Sequence, residues 1–156
     1  MAQINNITQN EEKVSVGLLT PWIKGTLAVD DNFLRMDVPN TIILGLIGTG
    51  MRKNKTPIDS ISNIYTNTEY KIWKMILGAI IAIFGFTNIS SSFLTGVLLM
   101  VLGIFIIGTG IQTVFSYENM GNTKSIPFPF YEADRVQRFE SHVSEIVEKH
   151  YIDKNK

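Results

Sequence analysis

Between Lys74 and Glu118 the chain carries no Asp, Glu, Lys, Arg or His, so residues 75–117 form one uncharged run. A core helix of an ordinary domain does not need so long an uncharged stretch. A bilayer-spanning helix takes about 20 apolar residues, so a run of this length divides naturally into two. The polar cluster Thr87-Asn88-Ile89-Ser90-Ser91-Ser92 marks the division. The sequence therefore predicts a transmembrane helical hairpin over 71–114, with spans at about 72–86 and 93–114 and a turn at 87–92. Tyr70 and Trp73 at one end and Tyr117 at the other suit an aromatic belt.

Lysine and arginine set the expected orientation. Arg52, Lys53, Lys55, Lys71 and Lys74 precede the hairpin, Lys124, Arg135 and Arg138 follow it, and the turn holds none. By the positive-inside rule the chain is expected in the cytoplasmic (inner) cell membrane, with both termini on the cytoplasmic face. The first residues, MAQINNITQNEEK, are polar and partly acidic and do not read as a cleavable signal. Residues 1–12 are expected to be disordered and 151–156 to be a tail. Cysteine is absent, which removes thiolate and disulfide chemistry.

The later flanking piece is too small to bury a sufficient core alone, and the earlier one is marginal. Together, residues 13–70 and 112–150 are expected to form one domain interrupted by the hairpin. The first piece reads as strands. Val14, Val16 and Leu18 alternate with Ser15 and Gly17. Gly25–Val29 and Phe33–Val38 flank the turn cluster Asp30-Asp31-Asn32, and Leu34, Met36 and Val38 share one face while Arg35 and Asp37 share the other. Thr41–Ile47 is apolar but too short to span. A strand over 58–65 is expected after a turn at 54–57. Beyond the hairpin, strands over 112–118 and 124–128 flank Asn119-Met120-Gly121-Asn122. From about 131 to 150 the period becomes helical, with Val136, Phe139, Val143, Ile146 and Val147 on one face.

Several antiparallel strands followed by one amphipathic helix is the order of a pleckstrin-homology (PH) domain. Residues 25–36 (GTLAVDDNFLRM) resemble the G-x-L-x-V-T-D-x-R-L hairpin of bacterial PH-like domains. Residues 57–62 (PIDSIS) resemble their I-P-L-x-x-I-x-x-V strand, and residues 124–128 (KSIPF) their last strand. The resemblance implies an α+β membrane protein: a PH-like antiparallel barrel or sandwich with a C-terminal amphipathic helix, interrupted by the transmembrane hairpin. It also implies a non-enzymatic, membrane-anchored module that binds a protein or lipid head group, with immunity to bacteriocins or membrane-stress protection as the setting. The alternative is an accessory or structural subunit of a larger membrane complex, such as a transporter or secretion system.

Few residues invite a chemical role. The tetrapeptide IGTG occurs at 47–50 and again at 107–110, but neither copy has the further glycine or the Gly-Lys-Ser/Thr ending that a nucleotide loop needs. Asp30 and Asp31 sit in a turn signal, and His142 and His150 lie eight apart on the last helix without other ligands nearby. No catalytic group, metal or cofactor is therefore expected. Arg52, Lys53, Lys55, Lys71 and Lys74 are the candidate lipid- or partner-binding residues, because anionic head groups attract such cations. Gly78, Ala82 and Gly85, spaced by four and three positions, and Gly96 and Gly103, seven apart, are the candidate helix-packing residues, within the hairpin or in a homo-oligomer. Membrane lipids, a second copy or a partner membrane protein are the expected partners. Formal net charge is zero, and no basic face interleaved with aromatics suggests nucleic acid. A free strand edge is where a peptide would add.

Overall fold

The computed structural model of the chain describes residues 11–18, 20–42 and 47–155. In chain order its elements are β1 (Glu11–Ser15), β2 (Lys24–Val29), β3 (Phe33–Ile42), β4 (Ile47–Pro57), β5 (Ile61–Tyr70), α1 (Ile72–Asn88), α2 (Phe93–Thr109), β6 (Ile111–Asn119), β7 (Asn122–Pro129) and α3 (Ala133–Lys154). They divide into two compact units. One combines the residues up to Asn67 with those from Thr113 onward, and the other is Thr68–Gln112.

The first unit holds a four-stranded sheet in the order β1-β2-β3-β4 and a three-stranded sheet in the order β5-β6-β7. Alternation decides what each strand buries. In the β2–β3 pair Leu27 faces Met36 and Val29 faces Leu34, and all four are buried, whereas Arg35 between them is exposed. The turn joining these strands is built by Asp30, whose Oδ1 accepts the Asn32 and Phe33 N–H groups at 3.1 and 2.7 Å. An aspartate that bonds its own downstream backbone in this way fixes a tight reversal. Ser62 bonds Glu118, and the Met120 N–H bonds the Ser60 carbonyl. Residue numbers thus rise along β5 as they fall along β6, so these strands are antiparallel. Met120 and Gly121, both at positive φ, turn the chain from β6 into β7.

The core gathers Val14, Leu27, Leu34 and Met36 from the first sheet and Phe115, Tyr117 and Phe128 from the second. Val136, Phe139 and Val143 of α3 complete it. Phe115 packs against Phe139 with the rings tilted by 58° and their centres 5.7 Å apart. The hydroxyls of Thr56 and Tyr117, both buried, bond at 3.1 Å and tie β4 to β6.

Several expectations change here. The two sheets are separate, not a closed PH-like barrel: among the described residues no hydrogen-bonded ladder joins them. Pro57 ends β4, has no N–H to donate, and opens the 3-10 turn Ile58–Ser60 before β5 begins. Residues 54–57, read as a turn, lie within β4, and the reversal comes just after them. Glu11 and Glu12 belong to β1; the disorder expected over residues 1–10, and the middle of the apolar stretch 41–47, lie outside the described residues.

The second unit is a hairpin of two 17-residue helices. At its tip the Thr87 hydroxyl and the Asn88 amide donate to the Phe84 carbonyl, and the Ser92 N–H donates to the Asn88 carbonyl. At 1.5 Å per residue each helix rises about 26 Å, short of a hydrocarbon layer of about 30 Å. No helix among the described residues is long and apolar enough to cross a membrane. This overturns the transmembrane hairpin, the PH-like membrane-protein fold that contained it, and the placement as an integral protein of the cytoplasmic membrane. The uncharged run misled because it has two structural parts. The expected second span, 93–114, ends as a helix at Thr109, and Ile111 begins β6. Thr113 to Tyr117 are all buried, as suits a central strand covered on both faces.

Candidate interaction surfaces

Strand β4 carries the densest basic cluster. In its register with β3, Lys55 faces Arg35, Lys53 faces Asp37 and Arg52 faces Val38. Cross-strand partners share a sheet face, so Lys53 and Lys55 lie on one face with Arg35 and Asp37. Arg52 lies on the other. All three basic side chains are exposed. Two like charges set opposite each other repel, and the structure answers this locally. Arg35 pairs with Asp30 at 2.9 Å, and the Lys55 ammonium sits 3.8 Å from the centre of the Phe33 ring. Among the described residues, neither Arg52 nor Lys53 takes part in an ion pair.

Lys71 and Lys74 belong to the other unit, at the start of α1. The Lys71 N–H donates to the Gly110 carbonyl at 2.8 Å. Lys74 borders an open groove of about 320 Å³ lined also by Trp73, Ile76, Leu77 and Ile80. The five cations read together in the sequence are thus divided, three along one strand and two at a helix start.

In the hairpin the small residues face inward. Gly78, Gly85, Gly96 and Gly103 are buried. A Cβ at Gly78 would lie 2.7 Å from the Gly103 carbonyl oxygen, and one at Gly96 would lie 2.7 Å from the Ile89 Cα. A Cβ at Gly103 would strike the Ala82 backbone, so Ala82 lines the same seam. The large side chains face outward. Trp73 is 82% exposed, Leu94 78%, Phe93 71% and Phe86 67%, with Ile80, Ile83, Leu98 and Ile104 also exposed.

Of the titratable residues singled out for chemistry, Asp30 and His150 are engaged in structural contacts. Asp30 is spent on its turn and on Arg35. His142 is exposed. His150 bonds Asp59 at 2.8 Å, and Lys154 reaches the same Asp59 oxygen at 3.3 Å. These contacts hold the Asp59 carboxyl below the usual carboxylate range, the Lys154 hydrogen bond contributing most. Glu132 is buried at the start of α3, where Oε1 accepts the Ser15 N–H at 3.0 Å and Oε2 pairs with Arg135 at 3.4 Å. Beside it the Tyr131 hydroxyl donates to the Gly17 carbonyl at 2.9 Å, and burial pushes its pKa up. The spacing of His150 and Lys154, one helical turn apart, hints at a shared acidic partner. Nothing in the sequence points to Asp59, 91 residues away from His150, or to Ser15 as the partner of Glu132. Among the described residues no group of three or more His, Asp or Glu side chains could hold a metal ion.

Comparison with protein-family models, with curated proteins and with solved structures finds no match for this chain.

Proposed function

We propose that this protein is a non-enzymatic assembly module whose helical hairpin docks against a second copy of itself. One observation carries the reading: the hairpin buries its glycines and exposes its large apolar side chains. Isolated exposed apolar residues are ordinary, but a contiguous exposed apolar surface marks an interaction site. Each such side chain gains roughly 1.5–3 kcal/mol on full burial, so a surface of this extent favours association strongly.

The chemistry of the surface supports a like partner. It carries no charge from residue 75 onward, so it has no polar code with which to select a foreign protein. Two hairpins laid face to face would give a four-helix arrangement, in which helices pack through ordinary side-chain ridges and grooves. The engagement of Asp30, His150 and Glu132 in structural contacts supports the non-enzymatic half of the reading.

Sedimentation velocity over a range of concentrations tests it, on the full chain and on a double variant with Ile80→Lys and Leu98→Lys. Both positions are exposed, so the folded first unit and the helix content should survive. The expected result is a dimer or larger assembly that the variant reduces to monomer at unchanged circular dichroism. A wild-type chain that stays monomeric, or a variant that assembles equally well, overturns the proposal. Flotation of monomeric protein with neutral lipid vesicles would point to lipid as the covering phase instead.

A further inference from the structure

Among the described residues the four-stranded sheet ends at β4, whose one sheet neighbour is β3. Every second residue of such a strand turns its N–H and C=O away from the sheet. Those groups form a template on which another strand can pair. Over Met51–Lys55 the side chains are exposed except the half-buried Asn54, so the edge is open to a partner along that length. From these facts we infer that the edge of β4 takes up an extended acidic peptide segment as an added fifth strand.

Charge selects the occupant. A second copy of β4 laid against the first would set Arg52, Lys53 and Lys55 near the same three cations, and like charges opposite one another oppose pairing. The lysines therefore exclude self-pairing, a common safeguard of edge strands. The same three charges favour a strand with carboxylates at alternate positions. In such a strand two acids two residues apart face Lys53 and Lys55, and Arg52, on the other face, adds long-range attraction for an acidic segment. Neither Arg52 nor Lys53 is already neutralised by an ion pair among the described residues. Backbone bonds then give affinity and the charge pattern gives selectivity. This inference concerns the first unit and stands whether or not the hairpin self-associates.

The test uses a fluorescein-labelled peptide, Thr-Glu-Val-Glu-Val-Thr, and the full chain, read by anisotropy and by hydrogen exchange. The same peptide with its last two residues, valine and threonine, replaced by proline keeps both glutamates and its extended form but lacks N–H groups on both edges of the strand. The expected result is binding that weakens about tenfold or more with the proline peptide, and likewise with the Lys53→Glu/Lys55→Glu protein. Amide exchange over residues 51–55 should slow when the acidic peptide is bound. Equal binding of the proline peptide would show attraction by charge alone and overturn the added strand. Equal binding by the charge-reversed protein, or protection confined to β1 or β7, would place the peptide elsewhere. Binding of phosphatidylserine vesicles, with no binding of the peptide, would assign the cations to a lipid surface and overturn the inference equally.

Discussion

Replacing Gly103 by alanine tests whether the hairpin depends on backbone-to-backbone contact. A Cβ there would stand 2.6 Å from the Gly78 carbonyl oxygen and 2.7 Å from the Ala82 Cα. Both are backbone atoms, which cannot rotate aside as a flexible side chain would. Ordinary contact needs about 3.4 Å, and the Ala82 backbone nitrogen is closer still, so the helices must part by at least about 0.8 Å at this point. A gap of that size forfeits about a quarter to a half of the dispersion attraction across the contact, and overpacking of this kind costs about 1–3 kcal/mol. Alanine gains about 1 kcal/mol over glycine as a helix former. The net effect is then a loss of up to about 2 kcal/mol in the free energy of opening the hairpin, or an open population up to about thirtyfold larger. Amide exchange of the α1 and α2 residues, measured at fixed protein concentration, reports that equilibrium directly. Exchange that is unchanged or slower in the variant would mean that helix propensity dominates, and the close-seam argument would fail.

Two further outcomes follow from single contacts in the first unit. Tyr117→Phe removes the hydroxyl that meets Thr56 at 3.1 Å and leaves the Thr56 hydroxyl without its buried partner. Urea unfolding should show a loss of about 1–3 kcal/mol, with part of it recovered by adding Thr56→Val. Asp59, whose carboxyl is held low by Lys154 and then His150, should stabilise the end of α3 above the ordinary aspartate pKa of about 4. Because its folded pKa is depressed, that contribution is lost as pH falls through the lowered value. Amide exchange over residues 149–154 should therefore quicken with falling pH, relative to intrinsic rates, in the wild type and not in Asp59→Asn. An identical profile in both proteins would remove Asp59 as the anchor.

What the sequence disclosed, and what it withheld, follows from how strongly each residue is constrained. The β2–β3 hairpin was legible because Leu34 and Met36 alternate with Arg35 across one buried face, and because Asp30 sits where a turn needs it. The last helix was legible for the same kind of reason, since Val136, Phe139 and Val143 recur at helical spacing. Strand β4 was not. Of Arg52 to Thr56 only Thr56 is buried, so an edge strand with little alternation reads as a polar turn. Nor could the sequence distinguish a long apolar run that crosses a bilayer from a shorter helix pair leading into a fully buried strand. Both demand an absence of charge, and the break at Gly110–Ile111 has no charged residue to announce it. The division of the basic cluster is different in kind. Once β4 is known to be a strand, the separation of Arg52 from Lys53 and Lys55 follows from its period of two.

The arrangement of sizes within the hairpin bears further on the proposed assembly. A two-helix unit made to stand alone would set its leucines, isoleucines and phenylalanines between the helices, since burial of large apolar side chains is the main source of stability for a small fold. Here glycines occupy the seam, and the large residues are left outside. Close approach of backbones yields dispersion contact but little buried apolar area, so the seam alone supports the helices weakly. Stability of α1 and α2 must then rise when the outer surface is covered. This couples hairpin order to assembly by mass action. Amide exchange of α1 and α2 in the Gly103→Ala protein should therefore depend on protein concentration, slowing as the concentration rises, whereas the exchange of buried β6 amides in the first unit should not.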